Sequence, residues 1–169
     1  EILEDDFSHI VDVLAEGENL DKIQKFKKHP FSNFLAYFHT SNKIYFDLSK
    51  RKKVESIFKA IDLGIKYDEI SDYSSGAELV GINNHIALKL ASKILESSID
   101  SGADFTTSFD LGDMEMQEHY KEYVQKELSR DKVNQPFISP QQLILISLGE
   151  RDKRELGLDK HKNKVEFIS

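Results

Sequence analysis

Residues 102–114 read Gly-Ala-Asp-Phe-Thr-Thr-Ser-Phe-Asp-Leu-Gly-Asp-Met and combine two kinds of element. The apolar and β-branched run at 103–109 predicts a buried strand. Asp110 follows it directly, where its side chain suits the N-cap of a helix, and Asp113 falls in the first turn, where a negative charge complements the helix dipole. The stretch therefore predicts a strand that passes directly into a helix, the repeating unit of parallel α/β folds.

Strand and helix patterns alternate on both sides of this unit. Strands are predicted at 31–38, which is rich in aromatic residues, and at 65–70. Apolar residues spaced by three and four predict a helix at 54–61, which we expect Gly64 to end. Asn83 or Asn84 can cap a long helix, and 139–142 is a capping box with proline at the first helical position. We predict an α/β fold with a parallel sheet flanked by helices.

The N-terminal residues add a helical segment to this fold. Helices are predicted at 5–15, ended by Gly17, and at 20–28, stopped by Pro30. The helix opened by Asp110 is predicted to continue through Leu128. We therefore expect a helical segment at 1–30 and an α/β domain at 31–169, which together form one globular unit.

The composition excludes several classes of protein. The 169 residues carry 39% hydrophobic and 31% charged side chains, a globular balance. The formal net charge of -7 argues against a nucleic-acid partner. No apolar run approaches the roughly 20 residues that span a bilayer, so we expect no membrane insertion. The absence of cysteine excludes disulfides, thiol nucleophiles and thiolate-bound clusters.

Three segments carry a resemblance to a known family. Ser74-Ser75-Gly76-Ala77 resembles the Cys-Cys-Gly-Ala that names the cysteine-rich CCG domain of heterodisulfide reductase B subunits. Residues 102–114 resemble the family's Gly-Ala-Asp element, which ends in Cys-x-x-Cys. Residues 136–149 and 156–161 are similar to its closing segment. The resemblance implies a CCG-like α/β domain.

The resemblance also implies where cluster ligands would stand, and this chain departs from the family at each place. Family members bind iron–sulfur clusters and serve thiol–disulfide or quinone-linked electron transfer. The vestigial ligand positions here are Thr40 (or His39), Ser74, Ser75, Asp110 and Asp113. The chain is thus identified as a degenerate member that lacks the ligand cysteines.

Two interpretations of the vestigial positions remain open. His39, Asp110 and Asp113 could hold a divalent ion, since carboxylate and imidazole are ligands for hard and borderline metals. Alternatively, the new side chains satisfy backbone groups of the loops that the cluster once joined. The second interpretation is favoured and predicts that Asp110 accepts a hydrogen bond from the backbone N–H near Gly112 or Asp113. We expect no cofactor and no resident metal.

No set of catalytic residues stands out, so enzymatic activity is not the expectation. The spacing of the six histidines lacks His-x-x-His and His-Glu-x-x-His patterns. The favoured hypothesis is a structural or partner-docking module with a protein partner or an upstream domain. The alternatives are a redox subunit that retains a metal or cluster through other ligands, and a small-molecule-binding domain that uses the emptied cluster cavity. With no export signal visible, a cytoplasmic location is expected.

Overall fold

A computed structural model describes residues 10–41, 48–128, 131 and 133–165. Its sheet consists of β1 (Leu35–Phe38), β2 (Gly64–Lys66) and β3 (Phe105–Thr107), in the order β2-β1-β3. Both pairings are parallel, with Leu35 beside Gly64 and Phe38 beside Thr107. The predicted parallel α/β architecture is confirmed.

Helices lie on both faces of this sheet. Side chains alternate along a strand, so Ala36 and Phe38 face one side and Tyr37 faces the other. Ala36 and Phe38 belong to the main core, and Tyr37 packs with Ile94 on the opposite side. The helices of the described residues are α1 (Ile10–Leu14), α2 (Gly17–Phe26), α3 (Leu48–Ala60), α4 (Asn84–Asp100), α5 (Leu111–Glu118), α6 (Lys121–Glu127) and α7 (Pro140–Leu148).

The N-terminal helices pack on the α/β domain. Helices α1 and α2 contact α3, and α2 also contacts α7. Val11 and Ile23 are buried in the same core cluster as the sheet residues. The part of the predicted first helix before residue 10 lies outside the described residues. In the described part, no helix has the length and apolar character needed to cross a membrane.

The predicted roles of two glycines are wrong. Gly17 begins α2 instead of ending α1, and Gly64 begins β2 instead of ending α3. A glycine ends a helix by adopting a positive φ, and neither residue does so. The turn after α3 uses Asp62 instead, at φ 57°.

The strands are shorter than predicted. Of residues 31–38 only the last four form β1, because Phe31–Phe34 is a turn closed by a 2.9 Å hydrogen bond from the Phe34 N–H to the Phe31 carbonyl. Residues 65–70 form only the end of β2 and the start of a 3₁₀ turn, Glu69–Asp72, whose N-cap is Asp68. Aromatic residues such as Phe31 are buried without being in a strand, which the composition of the segment does not reveal.

The helix predicted from Asp110 through Leu128 is divided into α5 and α6. Tyr120 lies between them with φ −94° and ψ 3°. Both helices contact α4. The break lets α6 pack along α4 while the start of α5 stays beside the sheet.

Two predicted helix starts are confirmed. Asn83 caps α4, since its Oδ1 accepts the Ile86 N–H at 3.2 Å. Ser139 and Gln142 form the capping box at the start of α7. Gly149 ends α7 with φ 109°.

Candidate functional site

The vestigial positions surround the carboxyl ends of β1 and β3. His39 follows β1 and Ser108 follows β3. From β1 the chain continues through α3 to β2 at one edge, whereas β3, at the other edge, continues into α5. Ligand sites of open parallel sheets form where neighbouring strands diverge in this way. The loops after β1 and β3 therefore meet where this type of fold is expected to form a ligand site.

The Asp113 carboxylate lies at the centre of the site and is fully buried. The Ser41 hydroxyl donates to Oδ1, and the Ser108 hydroxyl donates to Oδ2 at 2.7 Å. The Ser41 backbone N–H adds a longer contact of 3.3 Å to Oδ2. A single carboxylate thus joins the loop after β1 to the loop after β3.

His39 completes the surroundings of this carboxylate. Its Nδ1 lies 3.0 Å from Asp113 Oδ2, which is close enough for an ion pair. The geometry of this contact is not that of a hydrogen bond. Its Nε2 lies 2.9 Å from the Tyr73 carbonyl oxygen, which can only accept, so Nε2 carries a proton. The imidazole therefore contacts both Asp113 and the loop before Gly76.

Charge pairing outweighs burial for both groups. Burial by itself disfavours the imidazolium, but the Asp113 carboxylate and the Tyr73 carbonyl raise the pKa of His39 above its usual 6.5. Burial likewise disfavours the carboxylate, while His39 and the two hydroxyls hold the pKa of Asp113 below its usual 3.8. The favoured state is an imidazolium paired with a carboxylate.

The loop that contains Ser-Ser-Gly is attached to the same network. The Ser75 backbone N–H donates to the Ser41 hydroxyl oxygen at 2.8 Å. Ser74 turns the other way, since its hydroxyl donates to Glu78 and accepts the Gly76 N–H at 2.9 Å. Gly76 has φ 81°, and a Cβ there would lie 2.6 Å from the Ala87 carbonyl oxygen, so this position requires glycine.

Asp110 does not reach the network. Its Oδ1 accepts the backbone N–H of Gly112 at 2.7 Å and of Asp113 at 3.3 Å, which confirms the predicted N-cap. Thr40 is buried, and its backbone N–H donates to the Ser71 carbonyl at 2.9 Å. Of the vestigial positions, the structure therefore unites His39, Ser75 and Asp113 and directs Ser74 and Asp110 to local contacts.

Sequence reasoning missed the two serines that hold Asp113. Ser41 stands next to Thr40, and Ser108 stands two residues before Asp110. Both are short hydroxyl side chains beside a vestigial position, which is the signal that could have identified them.

The donors of this site do not fit an iron–sulfur cluster. Such clusters are held by thiolates, and this site offers hydroxyl, carboxylate and imidazole groups. The Asp113 and Asp110 carboxylates already accept the hydrogen bonds described above. Within the described ranges, no group of three or more His, Asp or Glu side chains could hold a metal ion.

The family model of the HdrB-like C-terminal domain matches residues 76–162, just over half of the chain. The chain belongs to this family. The match begins at Gly76, the glycine of the Ser-Ser-Gly motif, and extends past His161. The resemblance inferred from the sequence is thereby confirmed, and the missing cysteines make this HdrB-like domain a degenerate member.

A solved structure supports the same fold. A hypothetical protein from Helicobacter pylori superposes with a TM-score of 0.73 and shares 27% sequence identity. The alignment covers 89% of this chain and 29% of that protein, so this chain spans less than a third of its length. No curated protein matches the chain.

Proposed function

We propose that this HdrB-like domain is a cluster-free structural and docking module. The observation that supports the structural part is the Asp113 carboxylate, which receives Ser41 and Ser108 and pairs with His39. The buried Ser75 and Thr107 hydroxyls have no hydrogen-bond partner among the described residues. The Asp113 carboxylate and the Ser41 and Ser108 hydroxyls are hydrogen-bonded to one another where relatives with cysteines place a cluster. The loops therefore keep their positions without a metal.

An electron-transfer role at this site is less well supported. A site that passes electrons needs a redox-active centre, and none of the side chains around Asp113 provides thiolate ligands for one. The imidazole and hydroxyl groups instead neutralise and bind the carboxylate. Asp113 and the three side chains that contact it form a polar junction between loops; these side chains are Ser41, Ser108 and His39.

An exposed apolar face beside the junction supports the docking part. Ile82 is 81% exposed and Leu111 is 76% exposed, and Ile86 is also exposed. Ile86 lies on α4, Leu111 lies on α5, and Ile82 lies in the turn before α4. The 3₁₀ turn Ala77–Leu79 contacts both helices. We call Ile82, Ile86 and Leu111 the apolar face. Exposed apolar groups that lie together mark interaction sites more often than scattered ones do.

The charges around the apolar face indicate the chemistry of its partner. Residues 73–88 and 105–120 contain no lysine or arginine, and they include the exposed carboxylates Glu78 and Glu115. An acidic rim complements a basic one, which favours encounter and disfavours partners of like charge. The proposed occupant is a protein surface with an apolar centre and a lysine- or arginine-rich rim.

The cluster-free assignment is tested by metal analysis. Protein purified without oxygen, then incubated with iron and sulfide, is expected to retain substoichiometric iron and to show no visible absorption band. The matched variant restores cysteine at Thr40, Ser74, Ser75, Asp110 and Asp113. Stoichiometric iron and sulfide in the natural chain would contradict the proposal, whereas iron bound by the cysteine variant alone would support it.

The role of the apolar face is tested by site-specific photocrosslinking in the native organism. A photoreactive residue at Leu111 is expected to crosslink to one basic protein. A photoreactive residue at Leu145, an exposed leucine of α7, is not expected to crosslink to it. The purified pair should then bind more weakly in high salt and more than about tenfold more weakly with Leu111→Lys. Equal labelling from both positions, or an adduct with a second copy of this chain, would refute the proposed partner.

A further inference from the structure

A second site lies at the other end of α5. A cavity of about 250 Å³ opens between α5, α7 and the chain at 157–162. Met114 and Gly157 contribute to a mostly apolar wall, and Glu118 and His161 line it as well. None of the vestigial positions borders this cavity, so it is separate from the junction around Asp113.

The protonation of His161 follows from its neighbour Gln142. The Gln142 amide has a defined orientation because Oε1 accepts the Ser139 N–H and Nε2 donates to the Leu156 carbonyl, each at 2.8 Å. The same Nε2 lies 3.1 Å from His161 Nε2. An amide NH₂ can only donate, so His161 Nε2 accepts and the proton of the neutral ring lies on Nδ1.

This Nδ1–H is a buried donor without a hydrogen-bond acceptor among the described residues. The His161 side chain is only 7% exposed, and Glu118 Oε1 lies 3.7 Å away, beyond hydrogen-bond distance. The Glu118 oxygens already accept the backbone N–H groups of Phe137 and Lys162, each at 3.1 Å. A buried donor of this kind requires an oxygen from a ligand or from water.

The charges at the opening of the cavity favour a negative ligand. Lys160 and Lys162 line it and are exposed, and the Lys162 ammonium donates to the His119 carbonyl at 2.7 Å. Glu118 contributes one negative charge, which two backbone N–H groups already stabilise. The two lysines therefore leave a net positive charge beside the unpaired donor.

We propose that this cavity binds a small organic carboxylate. One carboxylate oxygen accepts the His161 Nδ1–H, the lysines balance the charge, and the apolar body of the ligand lies against Met114 and Gly157. The volume lies below the range of about 300–1,000 Å³ that is common for drug-sized ligands, so the ligand is compact. This site goes beyond the docking role and does not depend on it.

The test compares acids with amides of the same shape. Butyrate and benzoate are titrated into the whole chain while the His161 ring signals are followed by NMR, with butyramide and benzamide as controls. The carboxylates are expected to shift the ring signals saturably and to raise the thermal midpoint, because a ligand that binds only the folded state stabilises it. The amides are expected to do neither.

The matched variants are His161→Gln and His85→Gln, the second at an exposed histidine of α4. His161→Gln is expected to weaken carboxylate binding about tenfold, as for loss of one hydrogen bond to a charged group, while His85→Gln retains it. If His161→Gln fails to fold, Lys160→Gln with Lys162→Gln tests the same ligand class, because both side chains are exposed and their loss should weaken only the acids. Absence of a saturable shift, or equal affinity for acids and amides, would overturn the proposal.

Discussion

Helix α5 carries two buried carboxylates, Asp113 and Glu118, that are held in opposite ways. Asp113 receives the side chains of Ser41 and Ser108 and pairs with His39. Glu118 receives backbone N–H groups, from Phe137 and Lys162. The first set of donors is enclosed, and the second borders a cavity of about 250 Å³. A closed set of contacts of this kind stabilises loops, whereas an open one leaves room for a ligand.

Removal of the Asp113 carboxylate should have the largest effect. Asp113→Ala leaves the buried His39 unpaired and two hydroxyls without an acceptor, so we expect the free energy of unfolding to fall by about 3–5 kcal/mol. Urea denaturation followed by circular dichroism measures it. Glu115→Ala, at an exposed position of the same helix, serves as the control. A loss no greater than that of the control would show that Asp113 does not hold the loops together.

Removal of the Glu118 carboxylate should cost less. Glu118→Ala leaves the N–H groups of Phe137 and Lys162 without their acceptor, but water can reach them from the cavity, so we expect about 2–3 kcal/mol. The same denaturation experiment applies. A larger loss than for Asp113→Ala would reverse the order of the two carboxylates and count against the contrast between closed and open surroundings.

Lys121, the first residue of α6, should make stability rise with pH in the alkaline range. Burial lowers its pKa to about 8, while Glu118 opposes the shift. Between about pH 8 and 10.5 the unfolded chain binds a proton that the folded chain does not, so stability rises with pH there. Measurements between pH 8 and 9.5 avoid the opposite effect of Tyr37, whose pKa burial raises to about 12. Lys121→Met should abolish the rise, and an unchanged slope in this variant would exclude Lys121 as its source.

His39 should make stability fall as pH rises, in a lower pH range than that of Lys121. Its pKa is above 6.5 in the folded state, so the contribution of its charge is fully present below pH 6.5 and is lost as pH rises through the folded pKa. The neutral ring keeps its contact with the Tyr73 carbonyl, so the effect should be smaller than that of Asp113→Ala. His39→Gln is expected to remove this decline in stability as pH rises above 6.5. A decline that persists in His39→Gln would assign it to another group.

Asp110 should contribute least, since it only caps α5. Asp110→Ala removes the acceptor for the N–H groups of Gly112 and Asp113 and should cost about 1 kcal/mol, whereas Asp110→Asn should cost a few tenths. Thermal unfolding of both variants measures this. A loss as large as that of Asp113→Ala would mean that Asp110 also supports the junction.

Local features of the site were accessible from the sequence. The N-cap at Asp110 and the capping box at Ser139 each depend on residues a few positions apart, whereas the need for glycine at Gly76 also depends on Ala87 of α4. Backbone conformation and short-range hydrogen bonds decide such caps, so spacing along the chain is enough to predict them.

The predicted lengths of the strands and the predicted roles of Gly17 and Gly64 are wrong because residue type alone does not determine these features. The aromatic run at 31–38 has the composition of a strand, but Phe31 and Phe34 pack in the core from a turn. Both glycines have the residue type of a helix end without the positive φ that ends a helix. Composition indicates burial, whereas the partner strand and the dihedral angles determine the element.

The sequence by itself determined the family, the parallel α/β class and the loss of every thiolate ligand, because residue type and order carry that information. Only the tertiary structure decided which groups replaced the ligands. Ser41 and Asp113 are 72 residues apart, and their contact depends on β1 and β3 lying side by side in register. The same holds for the unpaired donor of His161, whose state follows from the orientation of Gln142 on a different element. Contacts between distant segments require the packed fold, which local sequence patterns do not contain.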